Sequence, residues 1–341
     1  MCAPADETNP ETRPRIAAVI PAFRETQHIL SVLERFGPEV TQIYVVDDAC
    51  PDATGALVEQ RCRDPRVRVL FHDVNRGVGA ATVTGYVQAL ADGADVIVKV
   101  DGDGQIDPKL IPRLVAPILR GEADYVKGNR FHNLDGLRSM PAARLVGNAI
   151  LSFVTKISTG YWNVFDPTNG FTAIHAAVAR ELPLDRLSPR FFFESDVLFR
   201  LNTLQAVVLD VPMSAVYREE QSSLSIARAV VEFSLEHVRN AVRRIFYNYY
   251  LRNFNVASLQ IVLGALLVLS GGLFGAAHWW RSIETNESAT TGTVMLAALP
   301  ILVGVQLLLA FVSYDMSNIP ARPIHLRLAD PAPPAPLARD A

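Results

Sequence analysis

The sequence contains few cysteines, no run of Lys or Arg residues and no hydrophobic segment within residues 1–15. The three cysteines, Cys2, Cys50 and Cys62, form no CxxC pair, which argues against a disulfide framework and against a cysteine zinc site. A net charge of -3 without a Lys/Arg run argues against a nucleic-acid partner. Residues 1–14 are polar and proline-rich, so we expect a disordered tail, no cleavable signal peptide and a cytoplasmic location for the region that follows.

Hydrophobic residues make up 50% of the chain, and they concentrate after residue 255. The segments 256–280 and 288–314 carry no Asp, Glu, Lys or Arg, and each exceeds the roughly 20 residues that span a bilayer. We therefore predict a transmembrane hairpin over residues 253–315 and a disordered cytoplasmic tail over 316–341. Gly264, Gly271, Gly272 and Gly275 in the first span fit close packing either on a second copy of the chain or on the second span.

The charges around the hairpin predict its orientation. The linker between the spans holds Arg281 against Glu284 and Glu287. The flanks are richer in arginine, namely Arg239, Arg243, Arg244 and Arg252 before the first span and Arg322 and Arg327 after the second. By the positive-inside rule, both ends of the hairpin should be cytoplasmic.

Residues 225–252 show the periodicity of an amphipathic helix. One stripe is apolar and another is charged, and the segment ends in an aromatic and basic cluster directly before the first span. This pattern predicts a helix at the membrane interface. Packing of the same helix on the preceding domain is the alternative, and both interpretations can hold for different faces.

In residues 15–224, short apolar strands alternate with helical segments. This order predicts an α/β domain whose sheet is mostly parallel and covered on both faces. In such sheets the ligand lies at the carboxyl ends of the strands. The residues at these positions are largely acidic: Glu25, Asp47, Asp48, Asp73, Asp101 and Asp103.

Asp101 and Asp103 directly follow an apolar strand and are separated by Gly102. Two carboxylates at this spacing can turn toward one hard cation, and Gln105 adds a neutral oxygen. The sequence therefore predicts a Mg²⁺ or Mn²⁺ site at these three residues, with a solvated loop as the alternative.

Several segments together resemble the successive motifs of family 2 glycosyltransferases, and most closely the dolichyl- or polyprenyl-phosphate mannose and glucose synthases. The matching segments are residues 20–25, 45–54, 75–79, 101–105, 127–131, 166–171 and 193–196. The resemblance implies a GT-A fold, inverting transfer and a nucleotide-sugar donor of the UDP-glucose or GDP-mannose type. Its implied acceptor is polyprenyl or dolichyl phosphate, or a lipid-linked sugar, at a bacterial-type inner membrane.

The resemblance also implies roles for individual residues. Pro21, Phe23 and Glu25 would line the nucleotide pocket, and Val46 and Asp48 would contact base and ribose. Asp101, Asp103 and Gln105 would hold metal and diphosphate, with Gly102 between them. Arg130 and Arg144 would bind phosphate, and a solvated surface arginine is the alternative for each.

One segment departs from the family pattern. Residues 217–225 keep Arg218 as a candidate phosphate ligand but lack the lysine that the synthases usually carry there, which leaves the lipid-phosphate acceptor open against a sugar hydroxyl. A hydroxyl acceptor needs a general base. The candidates are Glu194 and Asp196, with Asp166 third, and positions i and i+2 of a helix point apart.

Two other classes fit less well. A dinucleotide-binding loop at Gly77-Val-Gly79 lacks the third glycine at its required spacing and leaves the acidic strand ends unexplained. A non-catalytic membrane scaffold would not need the intact Asp101 and Asp103.

Overall fold

The computed structural model describes residues 13–132, 142–167, 169–213 and 226–328. They fall into two compact units. The first comprises the described residues up to Asn240 together with those from Pro320, and the second comprises Ala241–Ile319.

Strands and helices alternate in the first unit, as the sequence predicts. Its strands are β1 (Ile16–Ala22), β2 (Val40–Asp47), β3 (Val67–Phe71), β4 (Val96–Lys99), β5 (Tyr125–Asn129), β6 (Thr172–His175) and β7 (Val208–Pro212). Its helices are α1 (Ile29–Leu33), α2 (Thr54–Arg61), α3 (Val78–Ala91), α4 (Ile111–Leu119), α5 (Ala142–Thr159), α6 (Ala176–Glu181) and α7 (Phe193–Leu204). Helix α8 (Ile226–Phe246) begins in this unit.

The described strands form one sheet in the order β3-β2-β1-β4-β6-β5-β7. All neighbouring pairs are parallel except those of β6, which runs antiparallel to β4 and β5. The prediction of a mostly parallel sheet is therefore confirmed. Every residue of β1 and β4 is buried, which explains why β1 is apolar throughout and β4 is apolar up to Lys99, since helices cover both faces of a central strand.

The segment 320–328 returns to the first unit after the hairpin and contacts the start of β5. The carboxylate of Asp124 is fully buried and accepts hydrogen bonds from the backbone N–H groups of Val207, Ile324 and His325. His325 Nδ1 lies 2.7 Å from Asp124 Oδ1, and its ring stacks on His175. The prediction of a disordered tail from residue 316 is therefore wrong for residues 320–328, because Asp124 binds their backbone.

Helix α8 has an unusual distribution of polarity. Within the first unit its His237 and Asn240 are 2% and 5% exposed, whereas Leu235 and Val238 are 68% and 62% exposed. The polar residues therefore pack inward, where His237 contacts Ser158 and Phe192. Both interpretations of this helix have support: it packs on the domain by one face and leaves an apolar face exposed.

The second unit is a helical hairpin of α9 (Val256–Thr285) and α10 (Thr291–Ser317). Both helices are long and apolar enough to cross a membrane. A π-helical turn, Tyr247–Arg252, connects α8 to α9. Arg244 and Tyr249 both bind Asp315 near the end of α10, at 2.6 Å and 2.7 Å. This buried ion pair fixes the base of the hairpin.

Glycines bring the two long helices of the hairpin together. A Cβ at Gly264 would lie 3.0 Å from the carbonyl oxygen of Gly304, and a Cβ at Gly271 would lie 2.8 Å from that of Ala297. These glycines pack within the chain, which answers the question that the sequence left open for them. Gly272 has no such contact within 4 Å.

Candidate active site

The carboxyl ends of β1, β2 and β4 lie side by side at one edge of the sheet, because these strands are adjacent and parallel. Pro21 and Val46 are Cα partners in this register, and both are buried. That Pro21 lines the nucleotide pocket and that Val46 contacts base or ribose stay predictions, and both residues lie inside the sheet next to its carboxyl edge. Phe23, by contrast, is 40% exposed just beyond β1.

Asp47 and Asp48 at the end of β2 organise the surrounding loops. Asp47 accepts hydrogen bonds from the N–H groups of Cys50 and Gly55, at 2.7 Å and 2.6 Å. Asp48 accepts from the N–H groups of Arg76 and Gly77, at 2.8 Å and 2.7 Å. The loops at this edge are therefore held by buried carboxylates, a role that the sequence analysis missed.

Asp48 also pairs with His72, whose Nδ1 lies 2.7 Å from Asp48 Oδ1. Its side chain is 4% exposed. A carboxylate offers about four acceptor sites, so these three protein donors leave roughly one site, on Oδ2, for a ligand. Contact between Asp48 and a base or ribose stays a prediction, and it would use that site.

The loops after β1 and β2 contain residues with positive φ. Arg24, Ala49 and Ala53 have φ angles of 65°, 52° and 54°. This conformation is costly for residues other than glycine, and such strain concentrates at binding sites. The guanidinium of Arg24 lies 5.5 Å from the centre of the Phe23 ring.

Asp101 lies at the centre of a small charged cluster. Lys99 Nζ is 2.7 Å from Asp101 Oδ1 and 3.2 Å from Glu194 Oε1. Burial disfavours the ammonium, but the two carboxylates outweigh this effect, and the pKa of Lys99 lies above its ordinary value. The cluster thus joins the end of β4 to the first turn of α7, and the sequence analysis did not identify Lys99.

Gly170 closes this cluster on another side. A Cβ at position 170 would overlap Asp101 Oδ2 and Lys99 Nζ. The glycine of the segment 166–171 is therefore required by close approach to the Asp101 carboxylate.

The loop after Asp101 brings the other predicted metal ligands near the edge. Asp103 Oδ1 accepts a hydrogen bond from the backbone N–H of Gln105 at 2.9 Å. Gly102 is buried, and a Cβ there would lie 3.3 Å from Cγ of Glu25. Glu25 therefore lies against the loop that carries both aspartates, as expected for residues sharing one site.

A second buried lysine lies two strands away from Lys99. Lys99 and Lys127 are both register partners of Thr172, and Lys127 is also the partner of Asp210. Lys127 Nζ donates to the carbonyl oxygen of Asn169 at 2.7 Å. Burial lowers the pKa of Lys127 to about 8 and raises the pKa of Asp210 to about 6. Register partners project on the same face of a sheet, so these side chains form a buried polar row.

Arg130 is oriented by Asp166. Its Nε donates to Asp166 Oδ2 at 2.7 Å and its Nη2 donates to Asp166 Oδ1 at 2.9 Å. Asp166 is 1% exposed, whereas the Arg130 side chain is 21% exposed. Asp166 is thus a positioning group for Arg130, and this arrangement does not favour it as the third candidate base.

The structure separates Glu194 from Asp196. Glu194 contacts Lys99 beside Asp101, whereas Asp196 accepts hydrogen bonds from Ser188 N and Arg200 Nε at 3.0 Å and 3.1 Å. The expected divergence of positions i and i+2 is confirmed. A catalytic role for Asp196 stays a prediction, and in the structure its buried carboxylate is bonded to Ser188 and Arg200.

The described residues do not include the side chains of two predicted phosphate ligands. Arg144 belongs to α5, but its side chain lies outside the described residues. Arg218 lies outside them entirely.

Comparison with known proteins agrees with this geometry. The family model described as "Glycosyl transferase family 2" matches residues 17–182. An undecaprenyl-phosphate mannosyltransferase of Micrococcus luteus is 32% identical over 209 residues, covering 60% of this chain and 85% of that protein. The chain belongs to glycosyltransferase family 2.

Other relatives of this family 2 glycosyltransferase support the same assignment. A UDP-N-acetylglucosamine–dolichyl-phosphate N-acetylglucosaminyltransferase of Methanococcus voltae is 29% identical over 60% of this chain and 86% of its own length. A polyprenol monophosphomannose synthase of Mycolicibacterium smegmatis is 29% identical over 60% of this chain and 78% of its own length. The protein is accordingly an enzyme, a hexosyltransferase.

Solved structures confirm the GT-A fold of the transferase. Glucosyl-3-phosphoglycerate synthase from Mycobacterium tuberculosis, crystallised with Mn²⁺, UDP and phosphoglyceric acid, superposes with a TM-score of 0.51 at 19% identity. The match covers 68% of this chain and 78% of that one.

The residues of the transferase fit a divalent cation that the substrate helps to hold. In the described part of the chain, no group of three His, Cys, Asp or Glu side chains could hold a metal ion alone. Magnesium is commonly bound by one or two carboxylates together with substrate phosphates. Asp101, Asp103 and the Gln105 amide supply an oxygen set of that kind.

Proposed function

We propose that the protein is an inverting, metal-dependent glycosyltransferase that moves a hexose from a nucleotide sugar to a polyprenyl phosphate in the membrane. The observation that carries this proposal is the placement of Asp101, Asp103 and Gln105 directly after β4, at the edge where the parallel strands end. The names of the relatives from Micrococcus luteus and Mycolicibacterium smegmatis support the acceptor class.

The donor would bind along the loops that follow β1, β2 and β4. Phe23 offers an exposed aromatic face, Glu25 lies beside Gly102, and Asp48 Oδ2 retains an acceptor site. These groups suit a nucleoside, whose base has apolar faces and N–H edges. Both UDP and GDP fit this description, so the donor is defined here as a nucleotide sugar.

Asp101, Asp103 and Gln105 would hold a Mg²⁺ or Mn²⁺ ion against the diphosphate. When bound, the cation neutralises charge that develops on the departing nucleotide. A protein of the same fold was crystallised with Mn²⁺ and UDP, which supports a divalent ion. Arg130 would supply a further positive charge, with Asp166 fixing its orientation.

The acceptor would be an ionised phosphate. A phosphate monoester has a second pKa of about 6 and is largely ionised near neutral pH, so its attack on the anomeric carbon needs no general base. Glu194, the candidate base that remains beside Asp101, already contacts Lys99. We therefore assign Glu194 the role of holding Lys99 in place beside Asp101. If the enzyme transferred sugar to a hydroxyl group, Glu194 would instead be the candidate general base.

The helices α9 and α10 would cross the bilayer. They have 30 and 27 residues, which correspond to about 45 Å and 40 Å of helix and exceed the hydrocarbon core of about 30 Å. The arginine bias around the hairpin supports a cytoplasmic catalytic unit.

The test uses the full-length protein in detergent. The protein is incubated with undecaprenyl phosphate, Mg²⁺ and one of three donors, namely UDP-glucose, UDP-N-acetylglucosamine or GDP-mannose. The masses of the lipid products are then measured by mass spectrometry. We expect one of the donors to give an undecaprenyl-phosphate sugar. Asp103→Ala should lower the rate of this transfer at least about 100-fold. Transfer only to a lipid-linked oligosaccharide would reject the acceptor, and full turnover by Asp103→Ala would reject the metal assignment.

A further inference from the structure

Lys99 places a buried ammonium group beside the residues that would bind the metal. It is the last residue of β4, and its side chain is 1% exposed. The ammonium lies inside the protein, 2.7 Å from Asp101 Oδ1. Because it is buried beneath that carboxylate, it is screened from a nucleotide approaching from solvent.

The position of this ammonium is fixed from several directions. Glu194 Oε1 lies 3.2 Å away and the carbonyl oxygen of Gly170 lies 3.4 Å away. Gly170 has no room for a side chain at this point. The lysine therefore has little freedom to swing away when another cation arrives at Asp101.

Charge balance then determines how tightly a cation binds. Asp101, Asp103 and Glu194 together carry three negative charges, and Lys99 offsets one of them. A divalent ion that approaches the aspartates meets repulsion from the ammonium a few ångströms away. A nucleoside diphosphate adds at least two further negative charges, and their attraction for the divalent ion outweighs that repulsion.

We infer that Lys99 is a resident cation that keeps the metal affinity of the free enzyme low, so that the enzyme holds a metal only when the nucleotide diphosphate adds its own negative charge. This inference rests on the proposed function, because it takes Asp101 and Asp103 as metal ligands. It makes Lys99 a positioning residue that does not touch the substrate. Its consequence is that metal and nucleotide bind cooperatively, each raising the affinity for the other by the same factor.

The chain provides a matched control. Lys127 is also a fully buried lysine and is also a register partner of Thr172. Its Nζ binds the carbonyl oxygen of Asn169. Lys127→Met therefore removes a buried ammonium from the same face of the sheet while leaving the contact between Lys99 and Asp101 in place.

The experiment measures Mn²⁺ binding to the full-length protein in detergent by the electron paramagnetic resonance of free Mn²⁺. Titrations are run without nucleotide, with UDP and with GDP. The wild type is compared with Lys99→Met, with Lys99→Gln, which keeps a hydrogen-bond donor but no charge, and with Lys127→Met. A thermal melt of each variant checks folding, and Lys99→Gln serves if Lys99→Met does not fold.

We expect the wild type to bind Mn²⁺ weakly alone and much more tightly with one nucleotide. Both Lys99 variants should bind Mn²⁺ at least about tenfold more tightly without nucleotide, because even water-like screening leaves that much repulsion between close charges. Both Lys99 variants should therefore hold Mn²⁺ without nucleotide at concentrations at which the wild type needs a nucleotide, and Lys127→Met should match the wild type.

Two different results would count against these ideas. If the wild type needs nucleotide for Mn²⁺ and both Lys99 variants behave identically to it, the role of Lys99 is wrong while the proposed function stands. If the wild type binds no Mn²⁺ with either nucleotide and transfers sugar in the presence of a chelator, the metal-dependent function is wrong, and the inference fails with it.

Discussion

Arg130 and Asp166 form a two-pronged ion pair, with Nε and Nη2 of the arginine donating to separate carboxylate oxygens at 2.7 Å and 2.9 Å. The carboxylate is buried and the guanidinium is partly exposed. An arginine held by both donors keeps a fixed orientation and still presents part of its surface to a ligand.

We predict that Asp166→Asn lowers the rate of sugar transfer at least about tenfold, because Arg130 loses its orientation. Breaking a buried ion pair also destabilises the fold, here by about 2–3 kcal/mol, since Arg130 is partly solvated. Steady-state kinetics and thermal melts measure the two effects. The control is Asp185→Asn, which removes the acid of the exposed pair between Arg186 and Asp185. Unchanged kinetics in Asp166→Asn would contradict the positioning role.

The two acidic residues of α7 should respond differently to neutralisation. Glu194→Gln removes one partner of Lys99 beside Asp101 and should lower kcat at least about tenfold. Asp196→Asn weakens its bonds to Ser188 and Arg200, so we expect a stability loss of about 1–2 kcal/mol and kcat within about threefold of the wild type. The reverse pattern in kinetics and melts would favour Asp196 over Glu194 as the candidate general base.

The buried carboxyl of Asp210 should make stability depend on pH. Its pKa is raised from 3.8 to about 6, mainly by burial. The folded state therefore holds a proton that the unfolded state releases, so its contribution is fully present below about pH 4 and is lost as the pH rises through 6. The wild type should lose about 2–3 kcal/mol relative to Asp210→Asn between pH 4 and pH 7. If the difference in stability between the wild type and Asp210→Asn stayed constant from pH 4 to pH 7, the predicted effect of the raised Asp210 pKa would be wrong.

The segment 320–328, which follows the hairpin, should contribute to the stability of the catalytic unit. His325→Ala removes the side-chain bond to the buried Asp124 and should cost about 1–3 kcal/mol. Arg327→Ala changes an exposed residue two positions away and is the matched control. Limited proteolysis and thermal melts check the result, and equal stability of the two variants would mean that the contact is not maintained in solution.

Adjacent glycines of α9 provide a test of the hairpin. Gly271→Ala would place a methyl group 2.8 Å from the carbonyl oxygen of Ala297, whereas Gly272→Ala meets nothing within 4 Å. We expect Gly271→Ala to lower the melting temperature and Gly272→Ala to leave it unchanged or raise it, because alanine favours helix by about 1 kcal/mol over glycine. Destabilisation by Gly272→Ala alone would indicate that the other face of α9 makes the close contact.

Much of the fold could be predicted because local patterns dominate its first half. The signal lies within a few residues in the apolar runs that become β1 to β4 and in the two long apolar segments. The same holds for Pro108, which begins a helical turn directly after Asp107. β5 and β6 were missed because each is short and contains polar residues, such as Lys127 and Thr172, that are buried only through their neighbours in the sheet. Antiparallel β6 has no local signal for its direction.

The site could be predicted in part for the same reason. The aspartates 101 and 103 follow a strand in sequence, and their position at the sheet edge needs only the rule for parallel strands. The pairs of Lys99 with Glu194 and of Arg130 with Asp166 join residues 95 and 36 positions apart. Sequence patterns do not reveal such pairs, and they decide which carboxylates orient other groups.

The contact between Asp124 and His325 joins residues 201 positions apart, with the whole hairpin between them. During synthesis, all residues of the sheet and of its covering helices are translated before this segment. Until both long helices have been translated, the carboxylate of Asp124 therefore lacks its donors from Ile324 and His325. A chain without residues 320–328 would leave the buried Asp124 carboxylate without two backbone donors and the imidazole of His325, so its catalytic unit would contain a poorly paired charge in its interior.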